Sequence, residues 1–515
     1  MFNNDEKKIL EKYITNLDSN VFVLKNLPEV VKGALFSRYS RSDKSLKRLL
    51  LDEFILNKDL NIFAEVNKER AEKFYERVLI GYGDDSVGEL SSIHVAIEDI
   101  SNIVSKIIED SRIGISPLEK STRYVYFDKK KDGRYLYYFD DEMERCSKNY
   151  EQTMDFLFDT YTLLLKEIRS HLLEKYPKTN DISDRVYNNT IKAKSCDIVR
   201  GLLPMATLTN VGLRGNGRAF EYLIVKLRAM KMPETDKLAK KLFDEISNVL
   251  PSFVKRSFNE KGDMWVEYLN NERNLFSKFN SLNSSETTQV KLVRVNGNED
   301  DVIAGIIYMY SSMSYSDCLT YAKQMTYDEK KELINKYLNS RKNRRHKPSR
   351  AFELVDYTFD IISNLGAYRD LQRHRILTHI RQSITPYLGY TIPNEIEEIN
   401  RVDLWNEAMK SSYKLYEEMK TCNKQLAQYV IPFAYRVRYL LKMNLREAFH
   451  FSELRSGEQG HIDYRLIAIK IAHEIKRVHP LIGYMKFLNE KHVDLERLNA
   501  EKRIEEKRKR IIRNP

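Results

Sequence analysis

Arg373, His374 and Arg375 stand side by side, and Ser383 follows after seven intervening residues. Arginine presents a planar fork of donors, and histidine can donate from either ring nitrogen. Together they form a trio suited to a phosphate or an electron-rich ring. In a chain with 86 Lys and Arg, such a cluster is by itself usually a solvated face. What lifts it above that background is the sequence around it, which occurs twice.

Upstream lies Arg350-Ala-Phe-Glu-Leu-Val-Asp-Tyr-Thr-Phe-Asp-Ile-Ile-Ser-Asn, ending at Asn364. In the first half Ser86-Val-Gly-Glu-Leu-Ser-Ser-Ile-His-Val-Ala-Ile-Glu-Asp-Ile-Ser-Asn ends at Asn102. Alternating apolar residues predict a strand in each, and the spacing of Ile103, Ile107 and Ile108 predicts a helix after it. Anchored on the two Ser-Asn pairs, Ser111 falls opposite Arg373. Farther on, Arg200-Gly-Leu-Leu-Pro leads to Asn216-Gly-Arg, and Gln428-Tyr-Val-Ile-Pro leads to Asn444-Leu-Arg, with the same offset of sixteen residues. Ordered matches at one internal spacing indicate a tandem duplication. The expected layout is a first domain over 1–279 with an insertion around 125–195, then a linker over 280–300. A second domain over 301–490 and a charged helical tail over 491–515 follow.

A length of 515 residues suits two domains. A hydrophobic share of 42% and 11% aromatics suffice for packed cores. No run of about 18 apolar residues occurs, and the N-terminus lacks a signal-peptide core, so a cytoplasmic protein without membrane partners is expected. Cys146, Cys196, Cys318 and Cys422 form no C-x-x-C pair and are expected as separate thiols. The histidine spacings give no helical i,i+4 metal pair, so no metal is expected. Gly212-Leu-Arg-Gly-Asn-Gly suits a turn about as well as a phosphate cradle. The net charge of +12 sits partly in Glu501–Arg510, expected as a frayed, solvated helix rather than a nucleic-acid surface.

The Arg-His-Arg-x7-Ser spacing resembles the signature of flavin-dependent thymidylate synthases. Ser121-Thr-Arg-Tyr resembles the Ser-x-Arg-Tyr that closes the same signature. The resemblance implies a mixed α/β fold, here two tandem domains, each a mixed sheet wrapped by long helices. It also implies reductive methylation of dUMP with FAD, NADPH and methylenetetrahydrofolate. By resemblance, Arg373, His374, Arg375, Asn444, Arg446 and His450 would hold FAD. Glu119, Ser121, Arg123, Arg200, Arg373 and Arg455 would hold dUMP, with Arg373, Ser121 and Arg455 at the chemistry. A homodimer would then reproduce a four-domain assembly.

The two copies depart from the signature in opposite ways. The second has Thr385 and Gln428 where the first has Arg123 and Arg200. One composite site, joining the first copy's loop to the second copy's Arg-His-Arg, keeps most of both sets. Both copies lack the family's Glu-His histidine, with Leu354 after Glu353, and Asp370 replaces a glutamine. Leucine neither donates nor titrates. Two other readings therefore stand beside the enzyme: a non-catalytic flavin- and nucleotide-binding protein, and a flavin enzyme acting on uridine in RNA.

Overall fold

The computed structural model describes residues 2–40, 42–55, 71, 88–282 and 284–513. Ser86 and Val87 of the first strand motif lie outside the described residues. In the first half β1 (Ser92–Ser101) runs into α1 (Asn102–Glu109), and β2 (Ile115–Glu119) follows. Next come α2 (Tyr150–Lys175), α3 (Asp184–Val199), β3 (Leu208–Asn216) and α4 (Gly217–Arg228). In the second half β4 (Val290–Asn296) precedes β5 (Asp356–Asn364), α5 (Leu365–Leu371) and β6 (Thr378–Arg381). Then α6 (Val402–Cys422), β7 (Arg436–Asn444), α7 (Leu445–Arg455), α8 (Ile462–Val478) and α9 (Leu498–Arg513) complete the chain.

Both predicted strand-to-helix passages are present, and the fold is mixed α/β as expected. The sheets run β1-β3-β2 and β4-β5-β7-β6. β3 pairs antiparallel with β2, and β7 with both β5 and β6. The period-2 pattern buries Tyr357, Phe359 and Ile361 fully on one face of β5. β4 lies inside the stretch expected as a linker and pairs with β5.

Two compact units emerge, and they do not follow the sequence halves. One comprises Met1–Ile100, Ile107–Lys120 and Thr209–Asn283. The other comprises Ser101–Lys106, Ser121–Leu208 and Ser284–Pro515. The second unit thus contains pieces of both repeats, and it shows their relation directly. Met205 N donates to Ile431 O and Phe433 N to Leu203 O, while Ala206 N donates to Tyr429 O and Ala434 N to Gly201 O. Each bond has a mate in which both residues are exchanged for their equivalents in the other repeat. Pro204 pairs with Pro432 at the centre. The two motif segments therefore pack on one another about a local two-fold.

The hydrogen bonds also correct the alignment by one residue. Asn364 caps α5 by accepting from Ala367 N at 2.8 Å, whereas in the first half Ser101 Oγ does this for Val104 N at 3.2 Å. The equivalent of Asn364 is therefore Ser101, not Asn102. The turn that ends each helix agrees: His374 N donates to Leu371 O and Ser111 N to Ile108 O. Ser111 stands level with His374, and Asp110 with Arg373.

Three further expectations change. Gly212–Asn216 is neither turn nor cradle but part of β3, where a Cβ on Gly215 would fall 2.9 Å from the Phe220 ring. The charged terminal helix α9 is docked rather than frayed. Asn189 donates to Glu501, Ser183 to Glu505, and Lys502 pairs with Asp181. Its acids face α3 and its neighbouring loop, which a reading of net charge could not anticipate.

Cys146 and Cys422, expected as thiols, form a disulfide across 276 positions, with Cα atoms 5.4 Å apart. It joins the short helix Asp141–Cys146 to the end of α6. Cys196 and Cys318 are buried and unbonded. Thiol titration of denatured, unreduced protein should count two thiols per chain; four would contradict the pairing. Among the described residues no helix is long and apolar enough to cross a membrane.

Candidate nucleotide site

The second unit gathers the arginines that the resemblance named. Ser121 begins the loop after β2, and its Oγ accepts from Arg123 N at 3.3 Å, a local bond that folds the loop back on itself. Arg123, 7% exposed, is turned inward and forks onto Asp197 of α3. One arm of the fork, Nε to Oδ1, measures 2.5 Å. Its Nη1 also donates to Tyr464 Oη of α8 at 3.3 Å. Arg200 follows α3 directly, is 5% exposed, and has Nη1 3.5 Å from Asp370 Oδ2 on α5. Arg369 Nη1 reaches Thr122 Oγ1 at 3.2 Å. First-repeat loop and second-repeat helix are thus interlocked.

Burial alone would raise both carboxyls. For Asp197 burial is outweighed by the charge and hydrogen bonding of Arg123 together with His461 and Arg200, which hold the group below its usual range. For Asp370 burial is outweighed by Arg200, Arg123, Arg373 and Arg455 together, which hold it well below. The aspartate that replaces the family's glutamine is therefore the counter-charge of the cluster. Arg123, Arg200, Arg373 and Arg455 against Asp197 and Asp370 leave two positive charges, the complement of a phosphate dianion.

Arg373 and Arg375 project from the turn after α5 and are exposed. His374 between them is buried. Arg455 Nε, at the end of α7, donates to His374 Nε2 at 2.8 Å. That bond leaves the ring proton on Nδ1, which faces Glu447 Oε1 at 3.0 Å. His450, one turn along α7, lies with its ring 5.4 Å from that of His374. His374, Glu447 and His450 cluster closely enough to bind a metal ion. A metal on Nδ1 would need that proton removed while Nε2 still accepts from Arg455, so Arg455, His374 and Glu447 read as a hydrogen-bonded chain with His450 packed beside it.

The remaining expected residues are placed less directly. Asn444 caps α7 by accepting from Glu447 N at 2.9 Å. Arg446 donates to Pro348 O at 2.7 Å and pairs with Glu353 at 3.2 Å, so both serve the scaffold here. Glu119 closes β2 in the other unit. Sequence reasoning missed Asp197, Tyr464, Glu447 and His461. Only Asp370 had a signal, as a departure from the signature.

Burial pushes His374 well below the ordinary histidine range, with Arg455 and Lys347 adding to the effect. Burial also lowers His461, next to Arg200, and His450. All three fold as neutral rings. Their folded pKa values lie below the unfolded one, so their contribution is present above about pH 6.5 and is lost as the pH falls through it. The melting temperature should therefore fall between pH 7 and pH 5, and His374→Gln should flatten that slope. An unchanged slope would contradict the assignment.

A duplicated strand–helix unit, locked about a local two-fold and presenting one buried arginine–aspartate cluster, defines a tandem mixed α/β protein. The family described as thymidylate synthase complementing protein matches residues 38–252 and 291–481. The chain belongs to that family, as a two-copy member. It is 41% identical to a UPF0159 protein of Chlamydia pneumoniae, with 98% of each chain covered. A UPF0159 protein of Thermoplasma acidophilum is 35% identical over 92% of this chain and 98% of its own. A flavin-dependent thymidylate synthase of Sulfolobus acidocaldarius is 28% identical over 37% of this chain and 74% of its own. Among solved structures, a UMP/dUMP methylase from Streptomyces cacaoi bound with 5-Br dUMP aligns at a TM-score of 0.30. It shares 16% identity and covers 38% of this chain and 92% of that one.

Proposed function

We propose that the chain is a flavin-dependent thymidylate synthase working from one composite site. It would convert dUMP to dTMP with methylenetetrahydrofolate as one-carbon donor and NADPH as reductant. The observation that carries the reading is the meeting of Arg123 and Arg200 from one repeat with Asp370 and Arg455 from the other. The net double positive charge suits the nucleotide phosphate. A cation such as Arg455 beside a uracil carbonyl would stabilise negative charge as it develops on the ring. Ser121 acts as a hydrogen-bonding group.

The residues fit an anionic dinucleotide cofactor in part. Arg373 and Arg375 offer exposed guanidiniums for a pyrophosphate, while His374 orients Arg455. Bound there, FAD would supply the two-electron chemistry. Four domains from two chains make a homodimer the expected assembly, with a scattering mass of twice 60.9 kDa.

Leu354 favours a second reading. It stands where the family has histidine, and its Cδ1 lies 2.6 Å from where a Cβ on Gly305 would be. Leu354 is 47% exposed, and an apolar side chain there supplies no proton, which suits a non-catalytic binding protein. Expression in a thymidine-requiring strain separates the two. Growth without thymidine supports the synthase. Failure to grow, with flavin and dUMP still bound by the purified protein, supports the binding protein.

A further inference from the structure

Arg497 lies beyond the last residue matched by the family, in the segment between α8 and α9. Its guanidinium sits over the ring of Tyr124 at 4.2 Å, and Tyr124 follows directly on the Ser121–Arg123 loop. Its Nε is buried with no hydrogen-bond partner. Among the described residues no carboxylate reaches it within ion-pair distance, in contrast to Arg123, which is matched by Asp197. The segment is held in place from both sides. Glu496 pairs with Lys194 at 3.0 Å, and Glu501 accepts from Asn189 at 3.1 Å. A half-buried arginine stacked on an aromatic, with an unsatisfied donor and an arginine for a neighbour, is arranged to receive an anion.

We propose that Arg497 is a further phosphate-binding arginine of the nucleotide site, brought to it by the C-terminal segment. This rests on the nucleotide reading above. Burial is the largest influence on its guanidinium, and repulsion from Arg123 adds to it, pushing the pKa down to about 9. An arriving phosphate would relieve that repulsion. With Arg497 the cluster has five guanidiniums against two carboxylates, enough for a monophosphate and a share of a second anionic group. The tail's role is then to hold Arg497 against Tyr124, beside the Ser121–Arg123 loop.

The test uses the full chain and the variant Arg497→Met, which keeps aliphatic bulk over Tyr124 and removes the charge. Calorimetric titration with dUMP should show affinity weakened about tenfold or more, the loss of one charge-assisted contact. Titration with deoxyuridine, which lacks the phosphate, should be unchanged. At equal concentration, inorganic phosphate should raise the melting temperature of the native chain clearly more than that of the variant. Equal dUMP affinity in both proteins overturns the role of Arg497 while the nucleotide reading stands. No dUMP binding by the native chain, with an Arg497-dependent response to phosphate, overturns the nucleotide reading and keeps the anion site. A variant that melts lower but responds to dUMP and phosphate as the native chain does shows Arg497 to be structural, and also overturns the proposal.

Discussion

Arg123→Ala should cost about 3–5 kcal/mol of folding stability and abolish measurable dUMP binding at once, because it leaves Asp197 buried without its partner. The loss of stability alone would say nothing about function, so the informative protein is the double variant Arg123→Leu/Asp197→Leu. Replacing both members of a buried pair with apolar groups is often neutral, so the melting temperature should recover. The dUMP affinity should not, since the guanidinium near the phosphate is still absent. Recovery of both would mean that the pair only braces α3 against the loop. Loss of flavin in the double variant would mean that Arg123 also serves the flavin, which the reading assigns to Arg373 and Arg375.

Arg373→Ala should have the opposite profile. Arg373 is exposed at the turn after α5, so truncation should leave the fold standing. It also contributes to holding Asp370 ionised, and that effect is shared with three other arginines. Flavin affinity should fall by at least an order of magnitude, read as loss of yellow colour on gel filtration. Asp110→Ala and Thr385→Ala alter the positions equivalent to Arg373 and Arg123 in the opposite copies, and flavin content should be unchanged in both. If Thr385→Ala harms nucleotide binding as much as Arg123→Ala does, the two repeats carry equivalent sites and the asymmetry is wrong.

The arginines were legible in the sequence because each sits in a short motif whose spacing survived in at least one repeat. Their counter-ions were not. Asp197 lies 74 positions from Arg123, and Tyr464 lies 341 positions away. Neither belongs to a motif, so nothing local marks either as a partner. The Cys146–Cys422 pairing was hidden for the same reason. The one-residue error in aligning the repeats arose from treating Ser-Asn as an identity. The physical requirement at that point is an oxygen that caps a helix, which Ser101 meets in one copy and Asn364 in the other. Strand-to-helix order was readable because apolar periodicity is local. The boundaries of the compact units were not, because the segments around Pro204 and Pro432 bind each other across 228 positions.

The central claim is one working composite site per chain, and ligand stoichiometry tests it most directly. Purified protein stripped of flavin should be titrated with FAD, and then with dUMP, against chain concentration from absorbance. One FAD and one dUMP per chain of 60.9 kDa is the predicted result. Two of either per chain, or dUMP bound in full by Arg123→Leu/Asp197→Leu, would contradict it.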